Sequence, residues 1–364
     1  MAEMHAQKPD TRFLILVPSL ALLDQWVVAL REELGLPSEE IGVLGGGEKP
    51  SESAKVVVAV INSGRSFSQS FSAVHPTALI VDECHRAGSE KNAEALAGTF
   101  IATLGLSATP EREYDDGFEK YIVPALGEII YRYSYVDAAH DGVISQFGLV
   151  NIKVPLLPAE QEAYDEISAK ISRVRYLANR DADAEFTLRR LLQKRAADIS
   201  KITWRVPASV KLIDQNRHQR AIVFHERVSD AEKIFRLLKE RGHNAVIYHS
   251  GVEPVVRREN LRLFRTGVHD VLVCCRALDE GMNVPETTVA VVASSTASLR
   301  QRIQRLGRIL RPAPGKEHAI VYTLYATADE ENRLRTEANR LGDVSRVRWQ
   351  RLKVPENGTL TLPR

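Results

Sequence analysis

The chain has 364 residues and a formal net charge of +2, with 44% apolar and 26% charged residues. This length allows about two domains of roughly 150 residues, and the composition is typical of a globular protein. Because the charge is nearly balanced, the composition alone gives no argument for nucleic-acid binding. Any basic surface must come from local clusters of Lys and Arg. No run of about 18 apolar residues predicts a membrane span. The three cysteines form neither a disulfide framework nor a zinc pattern, so we expect a reducing, cytoplasmic setting.

Short apolar runs alternate with segments of helical spacing in the first part of the chain. The predicted strands are Phe13–Val17, Lys55–Ile61, Leu79–Val81 and Phe100–Leu104, and the first predicted helix is Leu20–Leu34. Apolar strands separated by helix-length segments predict a parallel sheet that is covered on both faces.

The middle of the chain, from Pro158 to about Arg205, is polar and helical in spacing. We interpret it as a connector between two domains, with a cap on the first domain as the alternative. The alternation then resumes, with predicted strands at Ala221–His225, Ala245–Tyr248, Val271–Cys275, Thr288–Val292 and Ala319–Leu324. Predicted helices include Ser229–Arg241, with Ser229 and Glu232 as a capping box, and Glu253–Phe264.

These elements predict an α/β fold of two parallel-sheet domains joined by a helical connector. The expected division is 1–135 for the first domain, 136–212 for the connector, 213–330 for the second domain and 331–364 for a basic tail. In that tail, R-V-R-W-Q-R-L-K-V at 346–354 alternates basic with apolar residues. It predicts either a strand whose Trp349 stacks on a base or an edge strand with a solvated basic face.

Two adjacent carboxylates, Asp82 and Glu83, end the apolar run in A-L-I-V-D-E-C-H-R-A-G at residues 78–88. In an open parallel sheet, ligands bind at the carboxyl ends of the strands, which is where this pair stands. A charge at a buried strand end is costly unless it is compensated, and a hydrated Mg²⁺ that bridges to phosphates is one compensation. A surface strand end with two solvated acids is the alternative.

Further motifs accompany this pair. They are V-P-S-L-A-L-L-D-Q-W at 17–26, G-G-G at 45–47, N-S-G-R at 62–65 and L-S-A-T-P at 106–110. The first leads from a strand into a helix N-terminus, whose free N–H groups suit a phosphate. In this order the motifs resemble the first motor domain of the superfamily 2 helicases, with D-E-C-H as a DEAH-type box.

The resemblance implies ATP and Mg²⁺ as cofactors and a role for each motif. Asp82 is expected to coordinate Mg²⁺ through water, and Glu83 to activate the attacking water. His85 is expected to link this site to the second domain, while Ser107 and Thr109 form the hydrogen bonds that couple hydrolysis to strand movement. Contacts with the nucleic-acid backbone are implied for Pro18, Ser19, Gly46, Ser63, Gly64 and Arg65.

An arginine-rich segment, Q-R-L-G-R-I-L-R-P at 304–312, is the strongest local signal of the second half. Arginine grips phosphate in a bidentate fork, so this segment predicts an anionic partner, with a solvated helix face as the alternative. Upstream are Y-H-S-G at 248–251 and R-A-L-D-E-G-M-N-V-P-E at 276–286. The set resembles the second motor domain of the same superfamily.

By this resemblance both domains are RecA-like, and Arg308 and Arg311 reach the γ-phosphate while Gln304 senses it. Gly281 and Asn283 line the ATP cleft, although the family usually has Asp in place of Asn283. Contacts with the nucleic-acid backbone are implied for His249, Ser250, Gly251 and Arg276. The motifs look most like the repair and restriction-type branch near the XPB and RadD helicases. Double-stranded or forked DNA is therefore the preferred substrate, with RNA not excluded.

No phosphate-binding loop of the form GxxxxGK followed by Ser or Thr occurs in the sequence. G-V-L-G-G-G-E-K-P-S at 42–51 and A-P-G-K-E-H at 313–318 both depart from it. The family carries this loop before the first motif, where only the residues before Phe13 remain, which are polar and expected to be unstructured. The chain is therefore expected to begin inside its first domain, to leave an apolar sheet edge unpaired, and to bind and turn over nucleotide poorly.

Three functions stay open. The first is an ATP-dependent DNA helicase or translocase without the start of its first domain, the phosphate loop coming from an upstream fragment or a protein partner. The second is a catalytically inactive DNA-binding or scaffolding remnant of a helicase. The third is the motor subunit of a restriction or phage-defence complex.

Overall fold

The structure is a computed structural model that describes residues 1–107, 116–143, 146–178, 182–275, 287–294, 318–341 and 345–354. The chain divides into two compact units, Met1–Arg132 and Tyr133–Arg364. Each unit is built on a parallel β-sheet, so the predicted α/β fold of two parallel-sheet domains is confirmed. No helix within these ranges is both long and apolar enough to cross a membrane.

The described sheet of the first unit has five parallel strands. They are β1 (Arg12–Val17), β2 (Ile41–Leu44), β3 (Val56–Val60), β4 (Thr77–Asp82) and β5 (Phe100–Leu106), in the spatial order β2-β3-β1-β4-β5. Runs of Val, Ile and Leu suit strands that are buried on both faces, which is why all but one of these strands were predicted. The exception is β2, because I-G-V-L is too short to show a periodicity.

Helices cover both faces of this sheet. They are α1 (Ala2–Gln7), α2 (Leu20–Glu32), α3 (Ile61–Val74), α4 (Glu90–Ala93) and α5 (Val123–Leu126), with single turns at Ser38–Glu40, Cys84–Ala87, Glu94–Leu96 and Phe118–Ile122. The hydroxyl of Ser19 caps α2 by accepting the N–H of Leu22 at 3.4 Å. Leu23 and Leu30 of α2 are buried on one sheet face, each stabilising the fold by about 1.5–3 kcal/mol. The helix α3 packs on the opposite face.

The first residues of the chain were expected to be unstructured, and this expectation is wrong. Residues Ala2–Gln7 form α1, and Met1 and Met4 pack against the same apolar cluster as α2. The helix was missed because six residues of mixed polarity give no clear helical period.

The strand β5 lies at the edge of the described sheet and exposes apolar side chains. Ile101, Leu104 and Leu106 are 46%, 41% and 38% exposed, whereas the strands in the middle of the sheet are almost fully buried. One side of β5 pairs with β4, and no strand among the described residues pairs with its other side. An apolar open edge is a template for pairing with a further strand.

The second unit has seven parallel strands within the ranges described. They are β6 (Gln146–Lys153), β7 (Ala221–His225), β8 (Ala245–Tyr248), β9 (Val271–Cys275), β10 (Val289–Val292), β11 (His318–Tyr325) and β12 (Ser345–Arg351), in the order β12-β6-β11-β10-β7-β9-β8. The predicted strands β7 to β11 agree within one residue at each end. The strand β6 was not predicted, because Gln146 and Asn151 interrupt its apolar pattern.

The helices of the second unit are α6 (Tyr135–His140), α7 (Pro158–Ala178), α8 (Ala182–Ile199), α9 (Arg205–Gln215), α10 (Val228–Glu240), α11 (Pro254–Arg265) and α12 (Ala328–Leu341). The helices α7 and α8 agree with the predicted helical middle of the chain. The structure divides the chain differently from the sequence, however, because the predicted connector belongs to the second unit. Its β6 pairs within that sheet, and Leu212 and Ile213 of α9 lie in that core.

The predicted capping box at the start of α10 is wrong. The helix begins at Val228, so Ser229 lies inside its first turn, and the N-cap residue Arg227 makes no side-chain capping bond. Asp230 instead supplies the negative charge in the first turn. Its Oδ2 forms an ion pair with Arg227 Nε at 2.9 Å.

The basic tail forms β12, an edge strand of the described sheet. Trp349 meets Tyr325 edge to face with 5.8 Å between ring centroids, and the guanidinium of Arg335 lies 4.5 Å from the Trp349 ring centre. Arg346 and Arg348 are exposed. Of the two alternatives for this tail, the structure therefore favours the edge strand, since the ring of Trp349 is already in contact within its own unit.

A fully buried arginine, Arg205, joins α8, two strand ends and α12. Its guanidinium donates to Ile199 O, Ala293 O, Leu324 O and, at 2.6 Å, Glu330 Oε1. The other oxygen of Glu330 accepts backbone N–H groups at the start of α12. Burial alone raises the pKa of Glu330, but the charge of Arg205 and these hydrogen bonds outweigh it and hold the pKa below its ordinary value.

We expect Arg205→Met to lower the free energy of unfolding by about 3–5 kcal/mol, because it leaves the ionised Glu330 buried without a cation. Chemical denaturation followed by circular dichroism measures the change. Arg189→Met is the matched control, since Arg189 forms only an exposed ion pair with Glu185, worth about 0.3–0.5 kcal/mol. Equal losses in the two variants would contradict the role of Arg205.

Candidate nucleotide and nucleic-acid site

The predicted site residues of the first unit lie at the carboxyl ends of its strands. Because the strands are all parallel, these ends share one edge of the sheet. In spatial order the edge carries Gly46 after β2, Ser63 after β3, Pro18 and Ser19 after β1, Asp82 and Glu83 at the end of β4, and Ser107 after β5. The predicted nucleic-acid contacts thus occupy one half of the edge, and the predicted catalytic residues occupy the other half.

The glycine triplet lies beside the start of α2. Gly46 has a φ of +61°, which glycine adopts without strain, and the turn is closed by the N–H of Glu48 donating to Gly45 O at 3.0 Å. A Cβ atom at Gly45 would lie 3.1 Å from Leu20 Cδ2. The glycine turn and the first residue of α2 are therefore neighbours at this edge.

Gly64 and Arg65 have structural partners that the sequence did not reveal. A Cβ atom at Gly64 would lie 2.7 Å from Leu16 Cδ2, so glycine lets α3 pack closely on β1. Arg65 donates to the side-chain oxygens of Asn62 and Asn92, which ties α3 to α4. Both residues hold α3 in place, and their predicted contacts with nucleic acid stay predictions.

The carboxylates Asp82 and Glu83 stand in different environments. Asp82 Oδ1 accepts the backbone N–H of Glu83 at 2.9 Å, and Oδ2 accepts the indole N–H of Trp26 at 2.8 Å. Glu83 has φ +49° and ψ +48°, and no other non-glycine residue in the described ranges has a positive φ. This left-handed conformation costs roughly 1–2 kcal/mol. Such strain concentrates at functional sites, and the catalytic role of Glu83 stays a prediction.

His85 lies between the ends of β4 and β5. Its Nδ1 is 3.0 Å from the hydroxyl of Ser107 and 3.4 Å from Glu83 Oε2, and its ring is buried. The structure therefore brings Glu83, His85 and Ser107 together. The coupling roles of His85 and Ser107 stay predictions, because they concern movements that one arrangement of atoms does not test.

The surroundings of Asp82 fit a hydrated Mg²⁺. This ion usually keeps several waters and binds one or two carboxylates together with phosphate oxygens. Asp82 is half-buried, and each of its oxygens keeps acceptor capacity beyond the one hydrogen bond described above. Asp82 can therefore accept a hydrogen bond from a metal-bound water. No group of three or more His, Cys, Asp or Glu side chains within the described ranges could hold a metal ion by itself.

The Y-H-S-G turn after β8 contains a buried histidine. His249 Nδ1 accepts the N–H of Gly251 at 3.1 Å. Burial lowers the pKa of His249, and the positive charge of Arg257 lowers it further. The negative charge of Glu232 raises it, but by less. Of the backbone contacts predicted in this turn, His249 is buried, whereas Ser250 and Gly251 are exposed.

The other predicted site residues lie outside the part of the chain that the structure describes. They are Thr109, Arg276, Gly281, Asn283, Gln304, Arg308 and Arg311. Conversely, sequence analysis missed Trp26 as a partner of Asp82. The helical spacing of Trp26 with Leu23 and Leu30 indicates only that Trp26 belongs to the buried face of α2, and it does not indicate the bond to Asp82.

Two parallel α/β sheets, with a D-E-C-H box at the end of a strand in the first, define the two-domain RecA-like class of motor proteins. Two protein families match the chain, "Type III restriction enzyme, res subunit" at residues 1–112 and "Helicase conserved C-terminal domain" at residues 204–313. Together with the relatives, these matches support a superfamily 2 DNA helicase. The functions that these families and relatives are named for support an ATP-dependent helicase.

The relatives agree with the predicted likeness to the XPB branch. "DNA 3'-5' translocase XPB2" of Sulfurisphaera tokodaii is 28% identical over 87% of this chain and 73% of that protein. "Putative DNA 3'-5' helicase Rad25" of Halobacterium salinarum is 29% identical over 87% of this chain, which spans 48% of that protein. The solved structure "S. cerevisiae Dbp5 bound to RNA and ADP BeF3" has a TM-score of 0.60 over 94% of this chain and 78% of its own. Its identity of 13% supports the fold alone.

We expect Glu83→Gly to be more stable than Glu83→Ala by about 1 kcal/mol, because both remove the carboxylate and only glycine adopts the left-handed conformation freely. Urea denaturation measures the difference. The same pair of substitutions at Glu166, inside α7, is the control, and there alanine is expected to be the more stable by about 1 kcal/mol. If alanine were favoured at both positions, Glu83 would not be strained.

Proposed function

We propose that this chain couples ATP hydrolysis to movement on DNA as a superfamily 2 helicase or translocase. The observation that carries the proposal is the shared edge of the first sheet, where the strand ends of β2, β3 and β1 adjoin the carboxylates of β4. The names of the relatives, a DNA 3'-5' translocase and a DNA 3'-5' helicase, favour DNA as the substrate. RNA is the alternative, since Dbp5 was solved bound to RNA.

In this proposal Asp82 holds a water of Mg²⁺, and Glu83 orients and deprotonates the water that attacks the terminal phosphate of ATP. Mg²⁺, when bound, supplies positive charge beside the phosphate oxygens. The hydrogen bond between His85 and Ser107 connects the surroundings of Glu83 with the end of β5, so that a movement of Glu83 also displaces Ser107. For the arginine segment at 304–312 the resemblance implies an arginine finger, and such a finger is worth roughly 10³–10⁵ in rate.

Nucleic-acid backbone is proposed to bind along the other half of the same edge. Pro18 and Ser19 precede α2, Gly46 lies in a tight turn, and Ser63 stands in the first turn of α3. Free N–H groups at helix starts and turns receive phosphates and read no bases. Among the backbone contacts predicted in the second unit, Ser250 has an exposed hydroxyl. We therefore expect binding that is sensitive to salt and weakly dependent on sequence.

The sequence contains no GxxxxGK[ST] motif, and for this reason we expect a low rate of ATP hydrolysis. We propose that the 364-residue polypeptide alone turns over ATP slowly, unless an upstream fragment or a partner protein supplies that loop. A DNA-binding remnant without turnover is the second candidate function. A motor subunit of a restriction complex is the third, favoured by the family match at residues 1–112. A cytoplasmic setting belongs to the proposal, since the spacing of the three cysteines in the sequence is neither a disulfide framework nor a zinc pattern.

ATP hydrolysis by the purified chain, measured with and without forked DNA, tests this proposal. We expect slow turnover that DNA stimulates and that Glu83→Gln abolishes, because the variant removes the proposed base and keeps the shape of the side chain. Glu90→Gln is the control, since Glu90 is an exposed acid in the first turn of α4.

Fluorescence anisotropy with labelled forked DNA, single-stranded DNA and RNA, each at two salt concentrations, runs in parallel. Both variants are expected to bind DNA like the unchanged chain. Binding without any turnover would favour the inactive remnant, and preference for RNA would overturn the DNA assignment. Failure to bind any nucleic acid would contradict the proposed function as a whole.

A further inference from the structure

The hydrogen bond from Trp26 to Asp82 connects two parts of the proposed site that are distant in sequence. The indole Nε1–H of Trp26 donates to Asp82 Oδ2 at 2.8 Å across 56 residues of sequence. The indole nitrogen is a donor only, so this bond needs Asp82 to present an acceptor. A bond between an N–H group and a carboxylate is shorter and stronger than one between neutral groups.

The packing of α2 fixes where the indole lies. Along β4, Ala78 and Ile80 belong to the apolar cluster that α2 covers, so by alternation Asp82 lies on the same sheet face. Trp26 is partly buried against this cluster, between the fully packed Leu23 and Leu30. The indole is therefore held by packing at the one end and by the carboxylate at the other.

The same helix begins at the nucleic-acid half of the edge. Ser19 caps α2, and Leu20 touches the glycine turn at Gly45. Trp26 follows Leu20 by six residues, which is about 9 Å along the helix axis. A helix this short moves as one body, so a displacement of its start reaches Trp26.

We propose that Trp26 is a positioning residue, which orients the carboxylate of Asp82 through its indole N–H and links that carboxylate to the start of α2. The link to nucleic acid rests on the proposed function, whereas the orientation of Asp82 does not. The indole bond leaves Asp82 with lone pairs that can accept a further hydrogen bond, and a metal-bound water is proposed as its donor. A residue that served only to fill the core would need its ring and not its N–H group.

Selective ¹⁵N labelling of tryptophan indoles tests the bond by nuclear magnetic resonance. The chain has three tryptophans, Trp26, Trp204 and Trp349, and a phenylalanine substitution of each assigns its signal. We expect Asp82→Ala to move the Trp26 indole proton upfield and to leave the other two signals in place. Asp24→Asn, an exposed acid on the same helix, is expected to change none of them. An unmoved Trp26 signal in Asp82→Ala overturns the proposal, whether or not the chain hydrolyses ATP.

Titration with forked DNA tests the link along α2. We expect the Trp26 signal to shift on saturation in the unchanged chain, and the shift to be lost in Gly46→Pro if the glycine turn carries the contact. A Trp26 signal unaffected by saturating DNA contradicts the link while leaving the orientation of Asp82 intact. Absence of any DNA binding, seen by anisotropy, contradicts the proposed function instead.

A kinetic measurement separates positioning from packing. Trp26→Phe keeps an aromatic ring and loses the N–H, and loss of an outer partner of a metal ligand typically costs about 10–100-fold in metal affinity or activity. We expect the Mg²⁺ concentration for half-maximal ATP turnover to rise within that range, with DNA affinity unchanged. Trp204→Phe in the second unit is the matched control. If Trp26→Phe and Trp204→Phe needed the same Mg²⁺ concentration for half-maximal turnover, Trp26 would serve only in core packing, and the proposal would be contradicted.

Discussion

Parallel pairing of β1 with β4 is the constraint on which the site of the first unit depends. Leu16 lies opposite Val81 in register, so the two strands end together at one edge. Alternation then sends Asp82 towards α2 and Val81 towards the cluster on the α3 side. A slip of one residue would reverse both directions. The carboxylate meets the indole of Trp26 only because this register holds, and the apolar runs of both strands enforce it.

The second unit relies on a polar interaction where the first relies on register. Arg205 binds the oxygens of Ala293 and Leu324, which follow β10 and end β11, and so fixes two neighbouring strand ends. Burying its charge is costly, and Glu330 compensates that cost. The chain after Ala293 leads on to the arginine segment at 304–312. Arg205 therefore anchors the chain at Ala293, one residue before this described range ends at Ser294.

The sequence predicted the strands well and the smaller elements poorly, for a physical reason. A parallel sheet demands continuous apolar runs, which stand out at β4 or β9, whereas β2 and α1 are too short to show a period. The strand β6 contains polar residues and is recognisable only from its partners, β11 and β12. The predicted capping box at Ser229 was wrong because β7 ends at His225 and α10 already begins at Val228, which leaves Ser229 inside the helix.

The candidate site was predictable in its residues and not in its geometry. The motifs indicated Asp82, Glu83, His85 and Ser107, and the structure brings them together. The left-handed backbone of Glu83 was not predictable, because glutamate has no preference for it and the surrounding turn imposes it. The bond from Trp26 was also hidden, since a tryptophan at helical spacing indicates core packing and gives no hint of a distant carboxylate. Burial of His249 is another tertiary effect that its motif does not contain.

Hydrogen–deuterium exchange of the chain, with and without saturating forked DNA, tests most directly whether one sheet edge carries the function. Slower exchange with DNA is expected at residues 18–23, 45–48 and 61–65, where the strands β1, β2 and β3 end. The opposite edge, at residues 35–40 and 75–77, is expected to exchange at the same rate in both samples. Protection confined to that opposite edge would contradict the account.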